Sequence, residues 1–226
     1  HIGTGVAKGT FVAGSDGFLA TSKYDVTFTG VAAHSGALPE QGKNSFLERP
    51  QSVLAIHGLP AHSSGTNRVN VGKLNAGLGR NIVPSIATMQ VEVRGETTAI
   101  NEYYEQQIIH IFQGAAQMYD VKVSYEKVGH AISTPSDLKL AQLLAKTANA
   151  LGVPVIEYTN FKAGSEDATF LMKRVQENGG LASYSIMGTQ LAAGHHNEYF
   201  DIDEEDMLTA IEMWLNTVFL VNEEEI

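Results

Sequence analysis

Alternating apolar and polar positions in the early part of the chain predict a β-strand with one buried face. From Ser22 to Gly30, three apolar residues alternate with charged and hydroxyl residues, and successive side chains of a strand point to opposite faces. The following segment, GKNSFLERPQSVLAIHG, repeats apolar residues at helical spacing but contains Pro50. Because proline lacks the backbone donor and clashes with the preceding helical turn, we expect the helix to bend at Pro50 or to begin there.

The next part of the chain predicts two strands, a long helix and another strand. NRVNVGKL and SIATMQVEVRGE alternate as strands do and are separated by the turn-rich NAGLGRNIVP. In the second strand, Ala87, Met89, Val91 and Val93 share one face. Apolar residues from Ile100 to Tyr119 recur at three- and four-residue steps, which is typical of an amphipathic helix. VKVSYEKV then predicts the last strand of this set.

These elements follow the order strand, helix, strand, strand, helix, strand over residues 21–132. The order is typical of a ferredoxin-like βαββαβ sandwich, in which both helices cover one face of the sheet. We therefore predict an α/β chain in which such a sandwich forms a domain of its own.

Helices and strands alternate in the remainder of the chain. The patterns predict helix, strand, helix, strand and helix at residues 138–151, 153–158, 166–176, 182–187 and 204–221. Such alternation favours a mostly parallel sheet that helices cover on both sides. Two strands cannot form that sheet alone. We therefore expect upstream chain to supply further strands, with the sandwich inserted into a larger α/β domain.

Composition and charge narrow the range of partners. The net charge of -10 and the pI of about 5.2 argue against nucleic acid, whose binding requires a clustered basic surface. No apolar stretch approaches the roughly 20 residues that span a bilayer, so we expect no membrane partner. Because the sequence has no cysteine, a metal site must use histidine, aspartate and glutamate. These features agree with a cytoplasmic protein.

Two adjacent histidines in AAGHHNEYFDIDEE suggest metal chemistry. His195 and His196 follow a loop of small residues and precede a predicted helix start. Neutral imidazole is a common ligand of zinc-like ions. Taken alone, the pair lacks the further ligands that a metal site needs, so two surface histidines are the alternative.

Six motifs in a fixed order extend this interpretation. HIGTG, TGVAAHSGALPEQGKN, RVNVGKLNAGLGRNIVP, VEVRGET, GSEDATFLM and AAGHHNEYFD resemble motifs of the co-catalytic metallopeptidases that include aminoacylase, glutamate carboxypeptidase and bacterial amidohydrolases. The resemblance covers essentially the whole chain and is strongest to the branch that hydrolyses aminobenzoyl-glutamate. It implies residues 1–20 as the end of an N-terminal catalytic segment, 21–132 as a lid and dimerisation domain, and 133–226 as the C-terminal part of the catalytic domain.

The resemblance also implies a metal-ligand set for two divalent ions, zinc or manganese. His196 fits the family's ligand position better than His195, which is left as a neighbour of the metals or a surface residue. His1, before IGTG, matches the ligand that precedes the lid, although a histidine left by a purification tag is the alternative. Since the chain starts at His1 within a glycine-punctuated pattern, we expect it to be part of a longer protein.

Three residues of the predicted lid match the family's substrate contacts. The resemblance implies that His34 reaches the active site of the partner protomer and hydrogen-bonds the scissile carbonyl, where an N–H donor stabilises the developing oxyanion. Its alternative is a histidine that caps a turn at a strand end. Asn81 and Arg94 match contacts to the substrate carboxylate, which a guanidinium grips through two hydrogen bonds. An exposed sheet charge is the alternative for Arg94.

GSEDATF predicts a helix start with Ser165 as N-cap and Glu166 and Asp167 in the first turn. Acids are favoured there by the helix dipole, so Asp167 needs no catalytic role. Glu166 has a second interpretation, in which it approaches the metals or a ligating histidine.

The implied activity is metal-dependent hydrolysis of the amide bond in N-acyl amino acids, aminobenzoyl-glutamate being the favoured substrate. The implied partner is a second copy, joined through the lid, or a homologous second subunit. The family's other ligands and its general-base glutamate precede its pre-lid histidine, so we expect the isolated chain to be inactive. The alternative function is a non-catalytic binding or assembly subunit of a hydrolase complex.

Overall fold

A computed structural model describes residues 1–3, 5–160, 164–194 and 197–223. The chain is α/β and divides into two compact units, which we call the central unit (Leu19–Ser133) and the terminal unit (His1–Phe18 with Thr134–Ile226). In the part of the chain that is described, no helix combines the length and apolar character needed to cross a membrane.

The strands and helices follow the order β1 (Phe11–Asp16), β2 (Ala20–Thr29), α1 (Glu48–His57), β3 (Asn67–Ala76), β4 (Ile86–Gly95), α2 (Thr98–Met118), β5 (Lys122–Ala131), α3 (Leu138–Ala150), β6 (Val155–Asn160), α4 (Ala168–Glu177), β7 (Ile186–Met187) and α5 (Glu205–Glu223). A short 3₁₀ turn at Pro39–Gln41 lies between β2 and α1.

The central unit has a four-stranded antiparallel sheet in the order β3-β4-β2-β5. Alternate residues of β2 and β4 point to one face, where both helices of the unit contribute to a single core. The predicted strand and helix positions are all found here. The core residues are Tyr24, Val26, Phe28, Ile56, Ala87, Met89, Val91, Val93, Ile100, Tyr104, Ile108, Phe112 and Ala116.

The start of α1 settles the two alternatives for Pro50. The helix begins at Glu48, so Pro50 lies in its first turn, where a backbone N–H has no partner within the helix. The chain reaches α1 through a close approach at Gly30, where a Cβ atom would lie 2.0 Å from the Lys43 carbonyl oxygen. Only glycine fits this contact without moving the backbone.

The terminal unit has a three-stranded sheet in the order β6-β1-β7. The central strand, β1, was missed by the sequence analysis, which assigned only β6 and β7. The expectation of a mostly parallel sheet is corrected for the described residues, because β1 pairs parallel with β6 but antiparallel with β7. Strand β1 is almost fully buried, as a strand covered on both faces is expected to be.

Two predicted boundaries in the terminal unit are wrong. The last strand has two residues rather than six, because upstream of Ile186 the serine hydroxyls of Ser183 and Ser185 donate to the Ala13 carbonyl oxygen. Helix α4 begins at Ala168 rather than at Glu166, and Asp167 rather than Ser165 has the N-cap position. Glu166 therefore precedes the helix.

Candidate functional site

The central unit brings His34 and Asn81 together by pairing two loops through their backbones. An isolated antiparallel bridge joins His34 to Ile82, and the Ser35 N–H donates to the Asn81 carbonyl oxygen at 3.1 Å. Both His34 and Asn81 are exposed. They are therefore neighbours at one end of the sheet, although 47 positions separate them along the sequence.

The backbone also determines which nitrogen of His34 carries the proton. The Gly36 N–H donates to Nδ1 of His34 at 3.1 Å. An acceptor nitrogen carries no proton, so the neutral ring must be protonated at Nε2. Nδ1 therefore holds the turn, and Nε2 is a hydrogen-bond donor on an exposed side chain.

Arg94 lies elsewhere on the same sheet. Ile86 to Arg94 spans eight residue steps of β4, or about 26 Å at a rise of about 3.3 Å per residue. The Arg94 guanidinium makes two hydrogen bonds to the Glu92 carboxylate, from Nε and Nη2, each at 3.0 Å. Within one chain the structure thus groups His34 with Asn81 but not with Arg94.

In the terminal unit, His1 lies beside the end of β7. The Met187 N–H donates to the His1 carbonyl oxygen at 2.9 Å, and Gly3 donates to the Met187 carbonyl oxygen at 2.9 Å. The imidazole Nδ1 is 3.0 Å from the Ile2 carbonyl oxygen. A carbonyl only accepts, so Nδ1 is the donor and a neutral ring carries its lone pair on Nε2. A metal-ligating imidazole is commonly oriented in this way.

Tyr184 connects His1 with Glu166. The Tyr184 ring is buried, and its centroid lies 6.1 Å from that of His1. Its hydroxyl hydrogen-bonds the Glu166 carboxylate; burial, then the negative charge of Glu166 and this bond, raise the pKa of Tyr184. A tyrosine that stays protonated holds the carboxylate in one orientation. Tyr184 was not among the predicted site residues, because the strand-like pattern around it gives no sign of a functional side chain.

The fit of these residues to metal ions is partial. Within residues 1–3, 5–160, 164–194 and 197–223, no group of three or more histidines, cysteines or acids could hold a metal ion. His195 and His196, the predicted ligand and its neighbour, lie outside the described residues. His1 and Glu166 have the donor chemistry that divalent ions require, an imidazole nitrogen and carboxylate oxygens.

The chain resembles known proteins along most of its length. A model of peptidase family M20/M25/M40 matches residues 8–219. A p-aminobenzoyl-glutamate hydrolase subunit of Escherichia coli is 50% identical over 219 residues, which are 96% of this chain and 50% of the relative. The indole-3-acetyl-aspartic acid hydrolase of Enterobacter agglomerans is 50% identical over 214 residues, 94% of this chain and 49% of the relative. The chain thus spans about half the length of these curated relatives.

Solved structures give the same result. The aminobenzoyl-glutamate utilization protein of Klebsiella pneumoniae superposes with a TM-score of 0.83 at 44% identity, over 96% of this chain and 52% of that one. A dinuclear metal-binding M20 peptidase of Bacillus subtilis shares the fold, with a TM-score of 0.71 at 16% identity, over 99% of this chain and 56% of that one. The chain therefore belongs to peptidase family M20/M25/M40.

Proposed function

We propose that the full-length protein carrying this chain hydrolyses the amide bond of an N-acyl acidic amino acid, with aminobenzoyl-glutamate as the favoured substrate. Two relatives at 50% identity are named for such conjugates, one of glutamate and one of aspartate. The single structural observation that carries the proposal is the Nε2 donor of His34 beside Asn81.

The chemistry assigns each residue a part. Nε2–H of His34 donates to the scissile carbonyl oxygen and continues to donate as negative charge develops on it. Asn81 and Arg94 hold the substrate carboxylate, the guanidinium through two parallel hydrogen bonds. Two divalent ions, zinc or manganese, would be held in part by His1 and His196 and would supply activation of the attacking water. Glu166 and His195 would lie next to these ligands and orient them.

The same proposal covers the domains. Residues 21–132 are a ferredoxin-like lid and dimerisation domain, and residues 1–20 and 133–226 belong to the catalytic domain. The distance between Arg94 and the His34–Asn81 pair supports a homodimer, because a second lid can supply the group that is remote within one chain. A homologous second subunit is the other possible partner, since the names of two relatives describe one subunit of a hydrolase. We also propose a cytoplasmic location, which a chain without cysteine suits.

The first experiment tests the His34 donor in the full-length protein. His34→Ala should lower kcat for aminobenzoyl-glutamate by about 100- to 1,000-fold, the usual loss for one oxyanion donor, with little change in KM. His110→Ala is the matched control, because His110 is an exposed histidine of the same unit. Equal activity of the two variants would contradict the role of His34.

The second experiment tests the ligand assignment by elemental analysis. His196→Ala should lower the zinc or manganese content, whereas His195→Ala should leave it nearly unchanged. A lost ligand should cost at least the roughly 10- to 100-fold in metal affinity that is typical of an outer-shell change. Equal loss in both variants would mean that both histidines are ligands or that the wrong one was chosen.

The alternative function is a binding or assembly subunit without catalysis. The observation that favours it is that two relatives are named as one subunit of a hydrolase rather than as a whole enzyme. That alternative predicts a metal content near zero in the full-length protein together with retained dimerisation. Light scattering and elemental analysis on one preparation separate the two functions. A strictly monomeric mass at high concentration would count against the lid as a dimerisation domain.

A further inference from the structure

Two arginines face each other across neighbouring strands of the central unit. Arg68 of β3 is the direct register partner of Arg94 of β4. The residue pair next to them, Val69 and Val93, faces the core, and successive side chains alternate between faces. Arg68 and Arg94 therefore lie on the sheet face opposite the helices, where directly opposite residues have Cβ atoms about 5 Å apart.

This arrangement places more positive than negative charge at one end of the sheet. The Glu92 carboxylate is hydrogen-bonded twice by Arg94 and lies 3.9 Å from the Lys23 ammonium group. The Arg68 side chain is exposed and makes no hydrogen bond or ion pair with the rest of the described chain. Arg94 and Lys23 thus share the Glu92 carboxylate, whereas the Arg68 guanidinium pairs with no carboxylate of the described residues, although the chain has a net charge of -10.

The placement of Arg68 opposite Arg94 lowers the stability of the folded state. Like charges directly opposite each other in a sheet destabilise the folded state, and nothing among the described side chains neutralises Arg68. An open cavity of about 500 Å³ adjoins the two guanidinium groups and is lined by Arg68, Val69, Asn70, Glu92 and Arg94. This volume is in the range of small-molecule sites. An anionic ligand in the cavity would offset the repulsion.

We propose that Arg68 binds the side-chain carboxylate of the acidic amino acid in the substrate and thereby selects glutamate or aspartate conjugates over neutral ones. The inference rests on the proposed function, in which Arg94 takes the other carboxylate. Glu92 fixes Arg94 through both of its oxygens, so the two guanidinium groups have different tasks. Glu92 holds Arg94 in place, and the carboxylate of the ligand provides the ion-pair partner that the Arg68 side chain lacks.

The test compares two substrates that differ only in that carboxylate, aminobenzoyl-glutamate and aminobenzoyl-glutamine, in the full-length protein. Arg68→Gln should lower kcat/KM for the glutamate substrate by about 10- to 100-fold, mostly through KM, because a charge-assisted hydrogen bond is lost. The glutamine substrate should change by less than about twofold, since it never had that bond. Arg68→Lys should be intermediate, because lysine keeps the charge without the planar fork.

Lys73→Gln is the matched control, because Lys73 lies on the same strand but lines a different cavity of the sheet, beside Asn75 and Thr88. It removes one positive charge and should leave the glutamate-to-glutamine preference unchanged. A thermal scan without substrate gives an independent readout. Arg68→Gln should raise the melting temperature by about 1–3 °C, because it relieves the repulsion by Arg94.

Three results would overturn the inference: equal losses on both substrates, no loss on either, or the same shift in preference from Lys73→Gln. If the wild-type protein hydrolyses neither substrate, the proposed function fails, and calorimetry with glutarate and butyrate decides on Arg68 separately. Tighter binding of glutarate that disappears in Arg68→Gln would support a dicarboxylate site for another reaction. Equal binding of the two acids would refute the site itself.

Discussion

The buried carboxylate of Glu48 should make the stability of the central unit depend on pH. It lies in the first turn of α1, its side chain is 0% exposed, and neither carboxylate oxygen has a hydrogen-bond partner among the described residues. Burial raises the pKa of Glu48 from 4.5 to about 7, against the opposing effects of its own backbone N–H and of Arg49. Glu48→Gln replaces the carboxylate with a neutral group of the same shape.

The sign of the pH dependence follows from the direction of this shift. The folded state holds an extra proton between pH 4.5 and about 7, so the free energy of unfolding falls as the pH rises through that window. The pKa shift of Glu48 corresponds to a loss of about 2–3 kcal/mol in the free energy of unfolding, once some solvent screening is allowed for. Glu48→Gln should therefore raise the free energy of unfolding by about 2–3 kcal/mol near pH 8 and by less than about 0.5 kcal/mol near pH 4.5.

Urea unfolding of the full-length protein, followed by circular dichroism at both pH values, is the assay. Glu40→Gln is the matched control, because Glu40 is an exposed carboxylate in the Pro39–Gln41 turn and its loss removes the same charge. The control should change the free energy of unfolding by less than about 0.5 kcal/mol at either pH. A gain for Glu48→Gln that is absent, or equal at the two pH values, would refute the reasoning.

Three further predictions concern stability and activity. Burial raises the pKa of Glu105, but hydrogen bonds and the charge of Lys127 outweigh burial and hold the pKa below its usual value. Glu105→Gln should therefore lower the free energy of unfolding by about 1–3 kcal/mol near pH 7. Urea titrations should show that this loss shrinks as the pH falls through the pKa of Glu105. In thermal scans, Gly30→Ala should lower the free energy of unfolding by about 3 kcal/mol or more, because the added Cβ meets the Lys43 carbonyl oxygen. Gly114→Ala, in open space on α2, should raise the free energy of unfolding by about 0.5–1 kcal/mol. The isolated 226-residue chain should hydrolyse no aminobenzoyl-glutamate, because the family resemblance implies that a general-base glutamate and further ligands precede the pre-lid histidine, and chelator-sensitive turnover would contradict this.

The central unit could be predicted from sequence because its sheet has one buried face. Ala87, Met89, Val91 and Val93 are each 3% exposed or less, and the residues between them face the opposite side. Alternation of this kind leaves a clear period in the sequence. Pro50 was also informative, although only the structure shows that α1 begins two residues before it.

The terminal unit was harder to predict because its middle strand is buried on both faces. Strand β1 has the sequence FVAGSD, with five of its six residues buried, so it has no polar face to reveal a period of two. Gly14 is required within it, because a Cβ atom there would lie 2.6 Å from that of Ala141. A glycine inside a short apolar run resembles a loop, which explains why the strand was missed.

The candidate site shows a similar division between what a sequence carries and what it does not. The motifs indicated His34, Asn81 and Arg94, but they gave no information on Arg68. Its significance depends on a register in which it lies opposite Arg94, and register is set by long-range pairing between strands. The residue pattern of one strand does not show which residue of the neighbouring strand lies opposite each position.

The two candidate-site histidines that the structure describes, His1 and His34, differ in a way that residue type alone cannot predict. A backbone N–H donates to Nδ1 of His34, whereas Nδ1 of His1 donates to a backbone carbonyl oxygen. The neutral rings therefore carry opposite tautomers, with a proton on Nε2 of His34 and a lone pair on Nε2 of His1. The first arrangement provides a donor at Nε2 for an oxyanion, and the second provides a lone pair at Nε2 for a metal ion. In each case the deciding group belongs to the main chain within two residues, so the local turn selects the role that the histidine can take.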